Sequence, residues 1–470
     1  MTNSVSMRKG WCPGALQPMR TGDGLLVRLR ISGGILSVGV ANEIALLSRL
    51  YGNGLIDLSS RANLQLRGVS ERTLPHLLAR LAELDLLDHD SKAEAVRNVI
   101  ASPLAGLADT RGRIDIRPLT KALEHALAEA EDLYRLPGKF GFLIDDGSGL
   151  SLRDVAADIR FDLTDEPDRR RFAIGIGGAA SDAAWLGTCE PGEMVAIALH
   201  LARAFLHLGT ACDEPPRRMR ELIDQCGAEA VGERAGLPAE RISARITHSL
   251  RARVPLEAAS VGEGIGAFRI RPGLPDMLAY EREGPCLDCD YLGIGVPFGR
   301  LSGDMFGLAA WVAAEFGTGE LRLTPWRALL LPGIRESDAA AIVDLFAKAG
   351  FIVGSADPRL AIAACPGAPG CEKGTTPTHE DALALAPLAK SFRDLHLKKT
   401  GIAVHISGCA KGCARPVASP FTLVGNAGKY DLVMDGTAQD SPHFTGLSLA
   451  DIGARLAAEI EEQEGRPHEH

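Results

Sequence analysis

Strand-like runs and amphipathic stretches alternate at the start of this chain. Leu25–Ile31 and Leu55–Leu58 have the short, largely apolar pattern of strands. Val40–Tyr51 and Leu74–Leu86 have helical character, and in the second of them apolar residues recur three and four positions apart. A turn at Ser32–Gly34 separates the first strand from the first helix. The pattern therefore predicts a small α+β unit of alternating strands and helices.

The same order of elements returns in the second half of the chain, from Gly293 onward. Several blocks correspond at a nearly constant offset, namely Val296–Gly303 with Val27–Gly33, Leu321–Thr324 with Ile56–Ser59, Leu331–Ile334 with Leu66–Val69, a predicted helix at Ala339–Ala349 with Leu74–Leu86, and Ala363–Gly367 with Ile100–Leu104. Several blocks in one order are hard to obtain by chance. We therefore predict an internally duplicated α+β fold with pseudo-twofold symmetry.

The duplication predicts two short half-repeats, each followed by a larger α/β lobe. In the first lobe, Met194–Leu208 and Met219–Ala235 are predicted helices. The glycines of 175–178 indicate a tight turn at a strand end rather than a phosphate loop. The predicted bounds are 1–75 and 293–345 for the half-repeats, 76–250 and 346–462 for the lobes, 251–292 for a linker and 463–470 for a tail.

Composition and charge narrow the class of protein. The chain has 470 residues, of which 46% are hydrophobic and 24% charged, as in ordinary globular proteins of more than one domain. Aromatic residues make up only 5% and the net charge is −9, which argues against nucleic acids and acidic membranes as partners. No apolar run approaches the roughly twenty residues of a membrane span, and no apolar signal core follows Met1–Lys9. Ten cysteines are too few for a disulfide scaffold, so we expect a reducing cytoplasm.

Four cysteines near the end of the chain form two pairs. Cys365 and Cys371 enclose five residues rich in Pro and Gly, and Cys409 and Cys413 enclose three. Four thiolates are the ligand set of a 4Fe-4S cluster, and glycine lets backbone N–H groups approach the cluster sulfurs. Zinc sites usually have two to four residues between paired cysteines, so the five-residue gap favours the cluster over zinc or plain buried thiols. A further pair with no partner pair nearby is read as coincidental: Cys286 and Cys289.

Basic residues accumulate in the first copy of an otherwise acidic chain. Because arginine binds carboxylates through two parallel hydrogen bonds, such a set is typical of a site for a ligand with many carboxylates. The alternative is that these residues are solvated surface charges or members of internal ion pairs. The set consists of Arg28, Arg30, Arg61 with Gln65, Arg67, Arg97, Arg111, Arg113, Arg117 and Lys139.

The cysteine spacing and the duplicated unit resemble the nitrite and sulfite reductase family over nearly the whole chain. The resemblance implies ferredoxin-like half-repeats and a 4Fe-4S cluster beside a tetrapyrrole, with Cys413 in the position that also reaches the sirohaem iron. Arg28, Arg97 and the motif Arg61–Gln65 match family residues that hold tetrapyrrole carboxylates and the bound oxyanion. For Arg30 and Arg67 the same carboxylate-binding role is expected from the set of basic residues, and Gln65 belongs to the matched motif.

One position departs from the family pattern. The active-site lysine pair of the family, spaced Lys-x-Lys, corresponds here to Lys139-Phe140-Gly141, so only the first lysine is kept. This puts six-electron reduction of sulfite in doubt, because both lysines supply charge and protons to the bound anion. Lys139 and Arg97 are the implied catalytic residues.

The N-terminal stretch is similar to the start of one branch of this family, the precorrin-3B synthases of aerobic cobalamin biosynthesis. The similarity lies in Gly10–Gly14 and in the segment Pro18–Leu26. It implies a monooxygenase that uses dioxygen to hydroxylate precorrin-3A at C20, with closure of the ring A acetate to a γ-lactone. The implied partners are precorrin-3A and an electron donor, with NADH or a reductase as the source of electrons.

The branch also implies a mononuclear non-haem iron beside the cluster. No 2-His-1-carboxylate spacing stands out among the twelve histidines, and His405 is read either as facing the site or as an ordinary strand histidine. Two other functions stay open at this point. One is a sirohaem-dependent sulfite or nitrite reductase, and the other is a non-catalytic electron-transfer or metal-binding protein.

Overall fold

A computed structural model describes residues 13–107, 114–164, 170–237, 291–354, 356–396 and 402–464, with two short strands at 270–271 and 274–275. In its first repeat, the turn at Ser32–Gly34 redirects the chain and the side chain of Ser37 caps a helix by accepting from the Val40 N–H at 3.3 Å. The elements of this repeat are β1 (Met19–Thr21), β2 (Gly24–Leu29), β3 (Ile35–Ser37), α1 (Val38–Tyr51), β4 (Leu55–Leu58), β5 (Leu64–Val69) and α2 (Leu74–Glu83).

From β2 onward, the elements of the first repeat return in the same order in the described part of the second repeat. Its helix is capped in the same way, because the Ser302 side chain accepts from the Met305 N–H at 3.1 Å. Following the short strands β11 (Ile270–Arg271) and β12 (Leu274–Pro275), it consists of β13 (Tyr291–Gly295), β14 (Arg300–Ser302), α8 (Gly303–Phe316), β15 (Glu320–Leu323), β16 (Ala328–Pro332) and α9 (Glu336–Lys348).

The two repeats exchange one short strand each. β3 of the first repeat pairs antiparallel with β15 of the second, with Leu36 opposite Leu321. β14 of the second repeat pairs antiparallel with β4 of the first, with Leu301 opposite Ile56. The sheet orders are β1-β2-β5-β4-β14 and β13-β16-β15-β3. Because the exchange is reciprocal, α1 and α8 pack together over one hydrophobic core that both repeats share.

Left-handed backbone conformations show how closely the two repeats correspond. Gly33 (φ 57°) and Phe298 (φ 53°) lie 265 positions apart, as do Ala62 (φ 54°) and Arg327 (φ 61°). Non-glycine residues seldom adopt this conformation. Its recurrence at the same places confirms the pseudo-twofold symmetry expected from the sequence.

Each repeat leads into a lobe built on a five-stranded mixed sheet. In both lobes the first three strands pair parallel to one another, and the fourth and fifth strands each pair antiparallel to the strand before them. The two lobes therefore share one topology. The first lobe contains β6 (Val99–Ala101), β7 (Phe142–Asp145), β8 (Ala157–Leu163), β9 (Phe172–Gly178) and β10 (Ala184–Cys189), with α3 (Ser91–Val96), α4 (Arg117–Glu129), α5 (Met194–Gly209), α6 (Met219–Cys226) and α7 (Ala228–Arg234). The second contains β17 (Ile362–Ala364), β18 (Val404–Ser407), β19 (Ser419–Asn426), β20 (Lys429–Gly436) and β21 (Phe444–Leu447), with α10 (Thr378–His396) and α11 (Leu449–Glu464).

The lobes have their own hydrophobic cores, separate from the core of the repeats. The predicted helix at Met219–Ala235 is in fact two helices, α6 and α7, because Gly227 between them has φ 81°. The glycines at 175–178 form the last part of β9 itself, where Gly177 and Gly178 have positive φ, and the turn follows them. In the described part of the chain, no helix is both long and apolar enough to cross a bilayer. The predicted domain bounds stay predictions, and most of the linker at 251–292 lies outside the described residues.

Candidate active site

A row of polar side chains crosses four strands of the first sheet. Arg28 on β2 lies opposite Gln65 on β5, Gln65 lies opposite Asp57 on β4, and Asp57 lies opposite Arg300 on the exchanged strand β14. Directly opposite residues point to the same face of a sheet. Asp57 holds Arg300 through two hydrogen bonds of 2.6 and 2.9 Å. The row thus joins residues of both repeats on one surface.

An open cavity of about 400 Å³ lies on this face. The first repeat supplies one part of its wall, the second repeat another, and each lobe contributes a loop. The lining residues that carry charge, hydrogen-bonding groups or thiols are Arg28, Asp57, Ser59, Ser60, Arg61, Gln65, Lys139, Arg327, Cys365, His379 and Cys413. Four of the residues singled out from the first copy, Arg28, Arg61, Gln65 and Lys139, are therefore brought together with two of the four cysteines.

The loop that carries Lys139 is held by two arginines. Arg61 donates to the Lys139 carbonyl through Nη2 at 2.6 Å, and Arg218 donates to the same oxygen through Nη1 at 2.5 Å. The Lys139 side chain itself is exposed and lines the cavity. The next position but one, Gly141, has no left-handed backbone, and a Cβ there would come no closer than 3.6 Å to its nearest neighbour, the Asn98 carbonyl. The backbone therefore does not require glycine at the place of the missing second lysine.

The four cysteines lie in two loops that follow parallel strands of the second lobe. Cys365 follows β17, and the Gly408 N–H, just after β18, donates to its sulfur at 3.2 Å. Burial, and after it the neighbouring thiols of Cys365 and Cys409, raise the pKa of Cys413, so thiols of both pairs lie near one another. Glycine allows the two cysteine loops to pack closely, because a Cβ at Gly408 would approach the Cα of Gly367 to 3.1 Å.

The donor set fits an iron-sulfur cluster. Four neighbouring thiols and a backbone N–H directed at one sulfur are what a 4Fe-4S cluster requires. Across the described residues, no three His, Cys, Asp or Glu side chains are grouped as ligands of a single metal ion. A cluster distributes its four thiolates over four irons, so thiols that are near each other without converging on one point suit it better than zinc.

The first lobe preserves the same hydrogen bond without the sulfur. Ser102 follows β6 as Cys365 follows β17, and the Asp146 N–H donates to Ser102 Oγ at 2.9 Å as Gly408 does to the thiol. Ser102 also donates to Asp145 at 3.0 Å. The first copy has therefore kept the loop geometry and replaced the thiol with a hydroxyl.

Arg67 follows Gln65 by two positions on β5 and has its partners inside the protein, so its predicted role in ligand binding stays a prediction. Its side chain is 1% exposed and does not line the cavity. It lies 2.7 Å from Asp23 and 3.1 Å from Asp57, and it donates to the Gly370 carbonyl in the loop between the first two cysteines. Burial opposes the charge, but the two carboxylates raise the pKa of Arg67 above its ordinary value. Arg67 thus ties the first sheet to the cysteine loop.

Arg30 and Arg97 also lie outside the cavity, in internal ion pairs. Arg30 Nη1 is 3.1 Å from Glu94 and its Nε is 3.4 Å from the Asn98 side chain. Arg97 donates twice to Asp88, at 2.8 and 2.9 Å. The predicted ligand-binding role of these two arginines and the catalytic role implied for Arg97 therefore stay predictions, since the structure places both outside the cavity that Arg28 lines. In the structure, Arg30 and Arg97 are members of internal ion pairs, which was the alternative considered for the basic residues.

Several residues of the cavity wall were not predicted from the sequence, among them Phe298, Arg327 and His379. Phe298 and Arg327 belong to the second repeat and reach the site because β14 is exchanged into the first sheet. Burial, followed by the positive charge of Arg300, lowers the pKa of His379 to about 4, so its ring is neutral at pH 7. A comparison of the two copies in the sequence could have identified Arg327, because the corresponding position of the first copy is Ala62.

Other residues singled out from the sequence lie elsewhere. His405 is fully buried on β18, and neither ring nitrogen has a hydrogen-bond partner in the described structure. It does not line the cavity. Arg117 pairs with Asp115 at 2.8 Å, on the first lobe. Four residues lie outside the described part of the chain: Arg111, Arg113, Cys286 and Cys289.

Comparison with known families follows the same division of the chain. The family model described as Nitrite/Sulfite reductase ferredoxin-like half domain matches residues 17–84 and again 288–349, which are the two repeats. The model described as Nitrite and sulphite reductase 4Fe-4S domain matches residues 92–242. That match is the first lobe, whereas the four clustered cysteines stand in the second.

Whole-chain similarities agree with these matches. The chain is 31% identical over 458 residues to precorrin-3B synthase of Sinorhizobium sp, covering 96% of this chain and 89% of the relative. It is 27% identical over 421 residues to ferredoxin–nitrite reductase of Synechococcus elongatus, covering 85% and 76%. Mycobacterium tuberculosis NirA protein has the same fold, with a TM-score of 0.67 at 19% identity over 95% of this chain and 82% of that one. The chain therefore belongs to the nitrite and sulfite reductase family, in the branch that includes precorrin-3B synthase.

Proposed function

We propose that this chain is a precorrin-3B synthase of the cytoplasm, an oxygen-dependent monooxygenase that hydroxylates precorrin-3A at C20 with formation of the γ-lactone. One oxygen atom of O2 enters the macrocycle and the other leaves as water. Turnover therefore consumes a pair of electrons, which the proposal assigns to NADH or a reductase. The similarity to the Sinorhizobium synthase along almost the whole chain supports this choice of substrate.

One observation carries the proposal. A single cavity has Arg28, Arg61 and Lys139 on the side of the first repeat and Cys365 and Cys413 on the side of the second lobe. A reduced, metal-free tetrapyrrole carries many acetate and propionate groups, and each charge-assisted hydrogen bond to them contributes about 1.5–3 kcal/mol. A substrate in this cavity lies between the cations that bind its carboxylates and the thiols that hold the cluster.

The residues of the site divide the work accordingly. Arg28 and Arg61 bind carboxylates, and Gln65 lies between Arg28 and Asp57 in the cross-strand row. Lys139 is exposed to the cavity and is the candidate for guiding oxygen chemistry or lactonisation. Cys365, Cys371, Cys409 and Cys413 hold the 4Fe-4S cluster, which supplies electron transfer when bound. The proposal also includes a mononuclear non-haem iron, for which the described residues present no ligand group.

The experiment is an anaerobic purification followed by turnover. We expect the absorption of a 4Fe-4S cluster and no extractable sirohaem. With precorrin-3A, a reductant and isotopically labelled dioxygen, the product should gain one labelled oxygen atom. A protein that carries the cluster, binds precorrin-3A and leaves it unchanged under these conditions would overturn the proposed activity. Cys413→Ser should lose the cluster, whereas Cys226→Ser, at an exposed cysteine of the first lobe, should keep it.

A second candidate function is a sirohaem-dependent sulfite or nitrite reductase. It is favoured by one feature, the presence of the Cys413 thiol in the cavity wall, because the corresponding family cysteine reaches the sirohaem iron. The similarity to ferredoxin–nitrite reductase points the same way, at lower identity. Sirohaem in the extracted pigment, together with electron-dependent consumption of sulfite or nitrite, would establish this function in place of the first.

A further inference from the structure

Arg327 enters the cavity from the turn between β15 and β16. Its side chain passes over Gly299, where a Cβ would come within 2.7 Å of the arginine Cδ. Nη1 lies 3.4 Å from the Phe298 carbonyl, and this is its only hydrogen bond to the described protein. The guanidinium therefore faces the cavity from the side of the second repeat.

Arg327 differs from the fully buried arginines of this chain in having no carboxylate partner among the described residues. Arg67 pairs with Asp23 and Asp57, Arg160 with Asp162, and Arg322 with Glu320. Among the described residues, the one acidic group that acts on Arg327 is Asp57, which already binds Arg67 and Arg300. Burial accordingly lowers the pKa of Arg327 below its ordinary value. A desolvated cation without a partner is costly, so it calls for an anion from outside the protein.

The pseudo-twofold symmetry shows that the fold does not need an arginine at this position. The corresponding residue of the first repeat is Ala62, whose backbone has φ 54° against 61° for Arg327. The same left-handed turn therefore forms around a methyl side chain. The guanidinium has been added in only one of the two copies, the one whose turn borders the cysteine loops.

Arg327 also lies at the opposite end of the strand row from Arg28. Arg28 lies on β2, whereas Arg327 contacts Phe298 and Gly299, immediately before β14. β2 and β14 are three strand spacings apart in the sheet order β2-β5-β4-β14. At about 4.8 Å per spacing, the strands are roughly 14 Å apart. A single carboxylate does not reach both ends of this row.

We propose that Arg327 binds a carboxylate at a second edge of the ligand, so that the cavity selects tetrapyrroles with carboxylates around the whole rim. Arg28 binds one edge and Arg327 binds another. A tetrapyrrole whose propionates all lie on one edge satisfies only one of the two groups. The inference rests on the proposed function in one respect, that the cavity takes a tetrapyrrole.

The test measures the binding of two porphyrins to the purified holoprotein under argon, with porphyrin fluorescence as the signal. Uroporphyrin I carries carboxylates around its whole rim, and deuteroporphyrin IX carries its propionates on one edge. We expect wild type to bind uroporphyrin I more tightly. Arg327→Ala should weaken uroporphyrin binding roughly tenfold or more, as expected for loss of a charge-assisted hydrogen bond, and should narrow the preference between the two porphyrins. Arg327→Lys should recover part of the loss.

Arg327→Ala introduces the residue that the first repeat has at the corresponding turn, and its cluster absorption and unfolding midpoint will show whether it is folded. Arg335→Ala, at an arginine whose side chain is 78% exposed on the surface, is the matched control and should bind like wild type. Unchanged uroporphyrin binding by Arg327→Ala, with wild type binding normally, would overturn the inference alone. Failure of wild type to bind either porphyrin would instead contradict the proposed tetrapyrrole site.

Discussion

Arg67 donates a hydrogen bond to the carbonyl of Gly370, the residue that precedes the second cluster cysteine. The two residues are 303 positions apart and belong to the first repeat and the second lobe. Arg67 is in turn oriented by Asp23, through hydrogen bonds of 2.9 and 2.7 Å. The Thr21–Gly24 turn therefore supports the loop between Cys365 and Cys371 through Asp23 and Arg67. This turn is part of one of the segments on which the family resemblance rests.

Replacement of Arg67 should release this loop. Arg67→Met leaves Asp23 without its cation and Asp57 with Arg300 as its remaining partner, and breaking a buried ion pair costs about 3–5 kcal/mol. We expect a lower unfolding free energy and a large loss of iron and sulfide per chain, measured by urea unfolding and chemical analysis. Arg20→Met removes an exposed ion pair with Glu71 and should change neither quantity appreciably. Full cluster content in Arg67→Met would show that the loop holds its shape unaided.

Gly22 should be as sensitive for a steric reason. A Cβ at this position would overlap the Pro369 carbonyl oxygen, again in the cysteine loop. We expect Gly22→Ala to displace the loop and to reduce cluster content and cluster lifetime in air. Gly39→Ala is the matched control, because a Cβ at that helical position meets nothing within 4 Å. The control should gain about 0.5–1 kcal/mol from the better helix former. Equal cluster lifetimes in the two variants would contradict the proposed support of the cysteine loop by the Thr21–Gly24 turn.

The order of elements was predictable from the sequence, but the exchange of strands was not. Strands β3 and β14 have three residues each, too few for a pattern that identifies a partner. Their pairing is decided by the shared core under α1 and α8, which is a tertiary property. Consequently the sequence pattern predicted the anion site in the first copy. It did not indicate that Phe298 and Arg327 of the second copy also line the cavity.

The arginines show the same limit. Arg28 and Arg30 belong to one set of candidate carboxylate-binding residues in the sequence, yet of the two only Arg28 reaches the cavity. The partner of Arg30 is Glu94, which is 64 residues away and also accepts from the backbone N–H of Ala15. Charge patterns name the cations but not the distant carboxylates that neutralise them. The cysteine spacing was more informative, because few ligands other than a cluster suit four soft donors in two glycine-rich loops.

Lys139 offers a test that separates chemistry from stability. Its backbone carbonyl carries the contacts to Arg61 and Arg218, whereas its side chain is exposed to the cavity. Lys139→Met should therefore leave cluster content and unfolding free energy unchanged. It should lower kcat/KM for precorrin-3A by about a hundredfold, the lower end for a proton-transferring group.

The control for Lys139 is Lys121, which is exposed on a second cavity of about 600 Å³. That cavity includes Gly33 and Ala101, which correspond to Phe298 and Ala364 of the first cavity. Lys121→Met should retain wild-type kinetics. Equal losses in both variants would assign the effect to overall charge, and no loss in Lys139→Met would remove Lys139 from the reaction.

His379 should make stability depend on pH in a defined window. Burial and the nearby Arg300 lower its pKa in the folded chain from 6.5 to about 4, so the unfolded chain takes up a proton first as pH falls. The contribution of the neutral imidazole is complete above pH 6.5 and is lost between 6.5 and 4, with a slope of up to about 1.4 kcal/mol per pH unit.

His379→Gln removes this titration and leaves the cysteines in place. The unfolding free energy of the variant should therefore fall less steeply than that of wild type between pH about 6.5 and about 5, and urea unfolding at several pH values measures both curves. His405, whose pKa is also lowered to about 4, titrates in both proteins and cancels in the difference. Parallel curves would mean that His379 is solvated and is not enclosed beside Arg300 in the cavity wall.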